Sequence, residues 1–140
     1  MSAPKTRAIN AVEIEPGRGE FAALPTAKNL LEALAEWNFS LAKSGSYLDL
    51  KSDFCRLRVA DDRISIEQIT DPVRAAAAGL VAAQSHGWDT VKVAGSDPEM
   101  LRELDKASRA IGVDIDWTQG QRQALTRAHD REIEHEGQEW

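Results

Sequence analysis

The stretch Thr70–Trp117 reads TDPVRAAAAGLVAAQSHGWDTVKVAGSDPEMLRELDKASRAIGVDIDW, and its punctuation divides it into helix, strand, helix, strand. Asp71-Pro72 is a start signal, because an N-cap carboxylate is followed by a residue that needs no amide donor. Gly87 is the matching stop, since glycine reaches the left-handed backbone that ends helices. Thr90 to Val93 is rich in β-branched residues. Asp97-Pro98 then repeats the start signal and Gly112 repeats the stop, before Val113-Asp114-Ile115 extends again. Helices alternating with short strands cover a sheet, with right-handed crossovers between parallel strands. Val73, Ala76, Ala77, Leu80, Val81 and Gln84 are expected to line the first helix's inner side. Leu101, Leu104, Ala107 and Ile111 are expected to do so in the second.

Upstream, Ser46 to Gln68 reads as a three-strand antiparallel meander: YLDLK, FCRLRV and RISIEQ, broken at Ser52-Asp53 and Asp61-Asp62. In its middle run Cys55, Leu57 and Val59 face one way and Arg56 and Arg58 the other. Before the meander, Thr26 to Gly45 reads as a helix. Leu30, Leu31, Leu34, Trp37 and Leu41 form its buried stripe, and that stripe makes Trp37 core rather than a stacking platform. Residues 1–25 hold Pro4, Pro16, Gly17, Gly19 and Pro25 and read as a flexible arm, with Ala11 to Ile14 at most a short edge strand. Residues 119–140 are polar with a thin apolar stripe and read as a helix with a frayed tail. The expected fold class is α+β (or α/β). It has an N-terminal helix, a meander and an α-β-α-β unit completing one mixed sheet packed by helices, with a single domain over 26–118.

The 140 residues suit one domain with a real core. Seventeen Lys and Arg against 23 Asp and Glu give a net charge of −6, which weighs against direct nucleic-acid binding and leaves only a local basic patch as a route to it. The lone Cys55 excludes an internal disulfide and fits a reducing, cytoplasmic setting. With no histidine near it in sequence, Cys55 reads as an inert core thiol. No apolar run is long enough to span a bilayer, so no membrane is expected. No cofactor fingerprint occurs, and the oligomeric state is undetermined.

Four groups could carry chemistry. Arg56, Arg58 and Arg63, with Lys51 as a candidate fourth member, could form a basic strip on the sheet's open face, suited to an acidic partner or phosphate. Gly95-Ser96 leads from a strand into a helix N-terminus, where free amides and the helix dipole favour anions, although Asp97 competes as a cap. Glu67, Asp114 and Asp116 resemble the layout with which Toprim-type enzymes hold magnesium, a glutamate after one strand and D-x-D after a later one, although Gln68 stands where a glycine is expected. His129 and His135, six apart in the tail, fall on different faces of a helix, unlike zinc-helix pairs.

Tyr47-Leu48-Asp49, DDRISIEQ, the alanine-rich helix ending at His86-Gly87-Trp88, VKVAGSDPE and RAIGVDI occur in that order. This run, about Tyr47 to Trp117, resembles the seventh large polyvalent-protein-associated domain family, an accessory domain of conjugative relaxases, primases and other plasmid or phage proteins. The chain departs from that pattern at Met100-Leu101, where relatives tend to carry aromatic and basic residues, and at Asp116-Trp117-Thr118. The resemblance implies a non-enzymatic module acting through a protein partner in DNA transfer or replication, and it assigns no catalytic residue. Two other functions are weighed beside it. One is a small acidic inhibitor of host defence that mimics DNA; the other is a magnesium-dependent nucleic-acid enzyme using Glu67, Asp114 and Asp116.

Overall fold

The computed structural model describes residues 11–17, 25–43, 45–95 and 97–127. Its frame is a seven-stranded mixed sheet: β1 (Val12–Pro16), β2 (Ser40–Lys43), β3 (Leu48–Lys51), β4 (Arg56–Val59), β5 (Ile64–Glu67), β6 (Thr90–Ala94) and β7 (Asp114–Ile115). In space the order is β2-β3-β4-β5-β1-β6-β7. All neighbours are antiparallel except β6 and β7, which the α3 crossover makes parallel. Three helices named in chain order, α1 (Ala27–Ala33), α2 (Pro72–Ser85) and α3 (Pro98–Ile111), pack against it, and a fourth, α4, covers 119–127. The α+β class with a mixed, helix-packed sheet is as expected from the sequence.

Strand alternation decides which face the helices cover. Val12, Ile14, Leu48, Leu50, Leu57, Val59, Ile64, Ile66, Val91 and Val93 are all buried, while most side chains between them reach solvent. The helices therefore share one face, and among the described residues no element covers the other. The starts and stops fall where the sequence puts them. Asp71 accepts from the Arg74 amide, Asp97 Oδ1 accepts from the amides of Glu99 and Met100, and Gly87 and Gly112 hold φ of 87° and 91°.

α2 is the central helix, flanked by α1 and α3, and its buried surface is wider than one stripe. Ala75, Ala76, Ala78, Gly79, Leu80, Ala82 and Ala83 are buried, whereas Val73 is 59% exposed and Gln84 lies outside, its amide donating to the Ile111 carbonyl. The expected stripe is thus rotated and too narrow, because a helix packed on three sides has no single inner face. At Gly79 an added Cβ would stand 2.4 Å from Ile66 Cδ1, so the absent side chain sets how closely α2 sits on the sheet.

Two expectations are corrected. The helix expected over Thr26–Gly45 ends at Ala33, passes through a 3-10 turn at Ala35–Trp37 and reverses at Asn38, whose φ of 55° is left-handed. The chain then extends as β2, so the meander has four strands instead of three, and Leu41, counted in the helical stripe, is exposed on an edge strand. Leu30 and Leu34 are buried and Trp37 packs partly against the core. The second correction concerns the arm expected over 1–25. Its residues Val12–Pro16 form β1, inserted between β5 and β6 in the interior of the sheet, with Val12 and Ile14 fully buried. Residues 1–10 and 18–24 of the arm and the tail beyond 127 lie outside the described residues.

Candidate functional site

The open face of the sheet gathers most of the expected site residues, and it does so with partners that the sequence reading left out. Arg56 sits opposite Lys51 on one side and Glu67 on the other; Arg58 sits between Asp49 and Ser65. The guanidinium of Arg56 reaches diagonally to Asp49, its Nε donating to Oδ1 at 2.8 Å and its Nη2 to Oδ2, the fork geometry of a bidentate pair. The Asp49 side chain is 3% exposed, and the Arg56 hydrogen bonds hold its carboxyl below the usual carboxylate range despite burial.

Arg58 takes the other diagonal, 3.9 Å from Glu67, with its guanidinium 6.0 Å from the centre of the Tyr47 ring. Arg63 lies 3.6 Å from Glu13 of β1 and 4.0 Å from Asp62. Glu15 faces Lys92 across β1 and β6, and Asp114 stands exposed beside Thr90 at the β7 edge. The expected basic strip is therefore a lattice of alternating charge. Each arginine has a carboxylate within reach, and the face as a whole offers a pattern more than a potential. Alternation within β3 and β1 was the signal that could have placed Asp49 and Glu13 there.

The loop at Gly95 is not open for an anion. The Asp97 carboxylate already occupies the amides of Glu99 and Met100, the donors an anion would need. The Gly95 and Val93 carbonyls both accept from the buried side-chain amide of Gln121. Gln121 in turn completes a capping box with Thr118, each side chain bonded to the other's amide. The T-x-x-Q spacing announced this cap in the sequence. Ser96 lies outside the described residues.

Glu67, Asp114 and Asp116 do not meet. Glu67 is on β5, the aspartates follow β6 at the sheet's far edge, and two strands, β1 and β6, stand between them. Three strand spacings make about 14 Å, far beyond a shared ion. Among the described residues no three His, Cys, Asp or Glu side chains converge as metal ligands. His129 and His135 fall outside the described residues. Cys55 is buried in the core beside Ser52, and burial pushes its thiol up to about 12, far from the thiolate a nucleophile needs.

The residues that carry the resemblance mostly hold the fold. His86 and Trp88 are buried and stacked, ring centres 4.2 Å apart and planes 13° from parallel, and His86 Nε2 donates to the Ala60 carbonyl at 2.7 Å. That contact ties the end of α2 to the β4–β5 turn. Among the described residues no helix is long and apolar enough to cross a membrane. Comparison with known protein families, with curated proteins and with solved structures finds no match to this chain.

Proposed function

We propose that this chain is a non-enzymatic accessory module of a mobile genetic element, working by protein–protein contact in conjugative DNA transfer or replication. The observation that carries the reading is the open sheet face, a solvent-facing array of interleaved charges on a rigid sheet. Such an array discriminates partners by charge register, because a mismatched surface sets like charges together. The sequence resemblance supports the same reading, since its residues serve as caps, core and internal ties, which an accessory domain needs. The buried single thiol fits action in the reducing cytoplasm. A DNA mimic would need continuous acidic rows, and on this face Arg56, Arg58, Arg63 and Lys92 interrupt them.

The test is affinity capture with the tagged chain from cells carrying a conjugative plasmid, beside an Arg58→Glu/Lys92→Glu variant. Both side chains are exposed, so the variant should keep its circular dichroism spectrum. Wild type is expected to recover a relaxase, a primase or another transfer protein, and the variant to lose it. Recovery of no DNA-transfer or replication protein by wild type overturns the proposal. Plasmid transfer into defended and undefended hosts separates the alternative, because a defence inhibitor would matter only in the former.

A further inference from the structure

On the helical side of the molecule, α3 and α4 enclose a groove of about 720 Å³, within the size range of ligand sites. Arg102, Lys106 and Arg109 project into it from one face of α3, at helical spacings of four and three. They span seven residues, roughly 10 Å of helix. Arg122 enters from α4, and Trp117 and Leu125 supply apolar surface. Among the described residues the only carboxylate lining the groove is Asp105, already held by Arg109 at 2.9 Å. Lys106 is exposed and has no carboxylate partner among the described residues. The Nε of Arg122 donates to the Trp117 carbonyl at 3.3 Å, which ties its guanidinium to the Trp117 backbone at the groove. Arg102 is paired with Glu103 at 3.8 Å and Arg109 with Asp105. Among the described residues Lys106 and Arg122 therefore leave a local excess of positive charge beside a half-buried aromatic ring, in a chain of net charge −6.

We propose that this groove binds a nucleotide unit of single-stranded nucleic acid, with a base stacked on Trp117 and phosphates held by Lys106, Arg109 and Arg122. Guanidinium forks and an ammonium match phosphate oxygens, and an indole face accepts any base without reading its edge. A duplex keeps its bases stacked away from the ring, and the cationic run is too short to follow two strands. An acidic peptide would use the cations but leave the ring idle. The site is independent of the protein-contact reading, because it lies across the sheet from the open face.

The test uses the purified full chain and a labelled oligothymidylate, followed by fluorescence anisotropy. The Trp117 indole N–H is followed by NMR and assigned with a Trp117→Phe variant. Saturable binding is expected at low salt, with log affinity falling against log salt at a slope of about −2, as three phosphate contacts to a single strand predict. Lys106→Glu and Arg122→Glu should each weaken it about fivefold or more, Lys51→Glu on the open face should leave it unchanged, and the Trp117 indole resonance should shift. A duplex and inorganic polyphosphate should bind more weakly. AMP that displaces the strand at comparable affinity identifies free nucleotide as the source of the unit; a much tighter strand identifies nucleic acid. Absence of saturable binding overturns the proposal, as does equal loss with Lys51→Glu. So does a duplex or polyphosphate bound as tightly as the strand, or an unmoved Trp117 signal. Protein capture in cells is a separate readout, so either proposal can fail alone.

Discussion

Asp49 and Arg56 make the strongest polar contact described on the open face, and its burial decides what it is worth. Exposed pairs such as Arg58–Glu67 and Arg63–Glu13, at 3.9 and 3.6 Å, contribute little, because solvent screens them and long side chains must be ordered to form them. Asp49 differs: its side chain is 3% exposed, whereas Arg56 keeps 23%. Replacing one partner leaves the other poorly solvated, so Asp49→Asn should cost about 2 kcal/mol at neutral pH, below the full cost of breaking a deeply buried pair. The pH dependence has a definite sign. The carboxyl titrates below its usual 3.8 in the fold, so its contribution is complete above that value and is lost as pH falls through the lower, folded one. Urea denaturation should therefore show wild type and Asp49→Asn converging below about pH 4 and separated at pH 7. A gap that persists unchanged at pH 2 to 3 would mean that the carboxylate's charge is not what stabilises.

At the scale of elements, the sequence is most readable where backbone chemistry is local. Asp71-Pro72, Asp97-Pro98, Gly87 and Gly112 set the ends of α2 and α3 through their own side chains or φ angles, and these ends stand where the sequence puts them. The stretch after Ala33 misleads because Leu30, Leu34, Trp37 and Leu41 satisfy a helical period while Asn38, able to enter the left-handed region, breaks it. The candidate site was half legible. Alternation put Arg56 and Arg58 on the open face, but their neutralisation by Asp49 and Glu67 depends on cross-strand register, which no single strand encodes. α2 shows the same dependence on its surroundings. On propensity alone Gly79→Ala would stabilise a helix by about 1 kcal/mol. Its new methyl would stand 2.4 Å from Ile66 Cδ1, 3.2 Å from Ile66 Cγ1 and 3.4 Å from Ile14 Cδ1, in a core without exposed surface to yield into. Overpacking of that kind costs about 2 kcal/mol, so the net expectation is a loss of about 1 kcal/mol, measured by urea denaturation. A stabilised Gly79→Ala variant would show that α2 can lift from the sheet without penalty.

For the whole molecule, β1 joins what would otherwise be two sheets. The four strands β2 to β5 form one antiparallel run and β6 with β7 forms a parallel pair; among the described residues only Val12–Pro16 hydrogen-bonds to both. Nothing in VEIEP announces this. A short alternating segment beside proline and glycine is what an edge strand also looks like, and centrality is a property of the chain's path rather than of five residues. The path has a kinetic consequence. β1 pairs Val12 with Ile66 and Ile14 with Val93, so its contacts close the longest loops in the sheet, whereas the β3–β4 and β4–β5 hairpins pair near neighbours. Loop closure costs entropy before distant contacts return any stabilisation, so β1 is expected to dock after the folding transition state. Ile14→Val removes one buried methyl group and should destabilise by about 1 kcal/mol. If β1 docks late, nearly all of that loss appears in the unfolding rate, about fivefold faster, with the folding rate almost unchanged. Leu57→Ala, in the local hairpin, should instead slow folding. Stopped-flow chevrons of both variants decide the order: a slowed folding limb in Ile14→Val would place β1 in the nucleus and make the strand between the two halves the first to form.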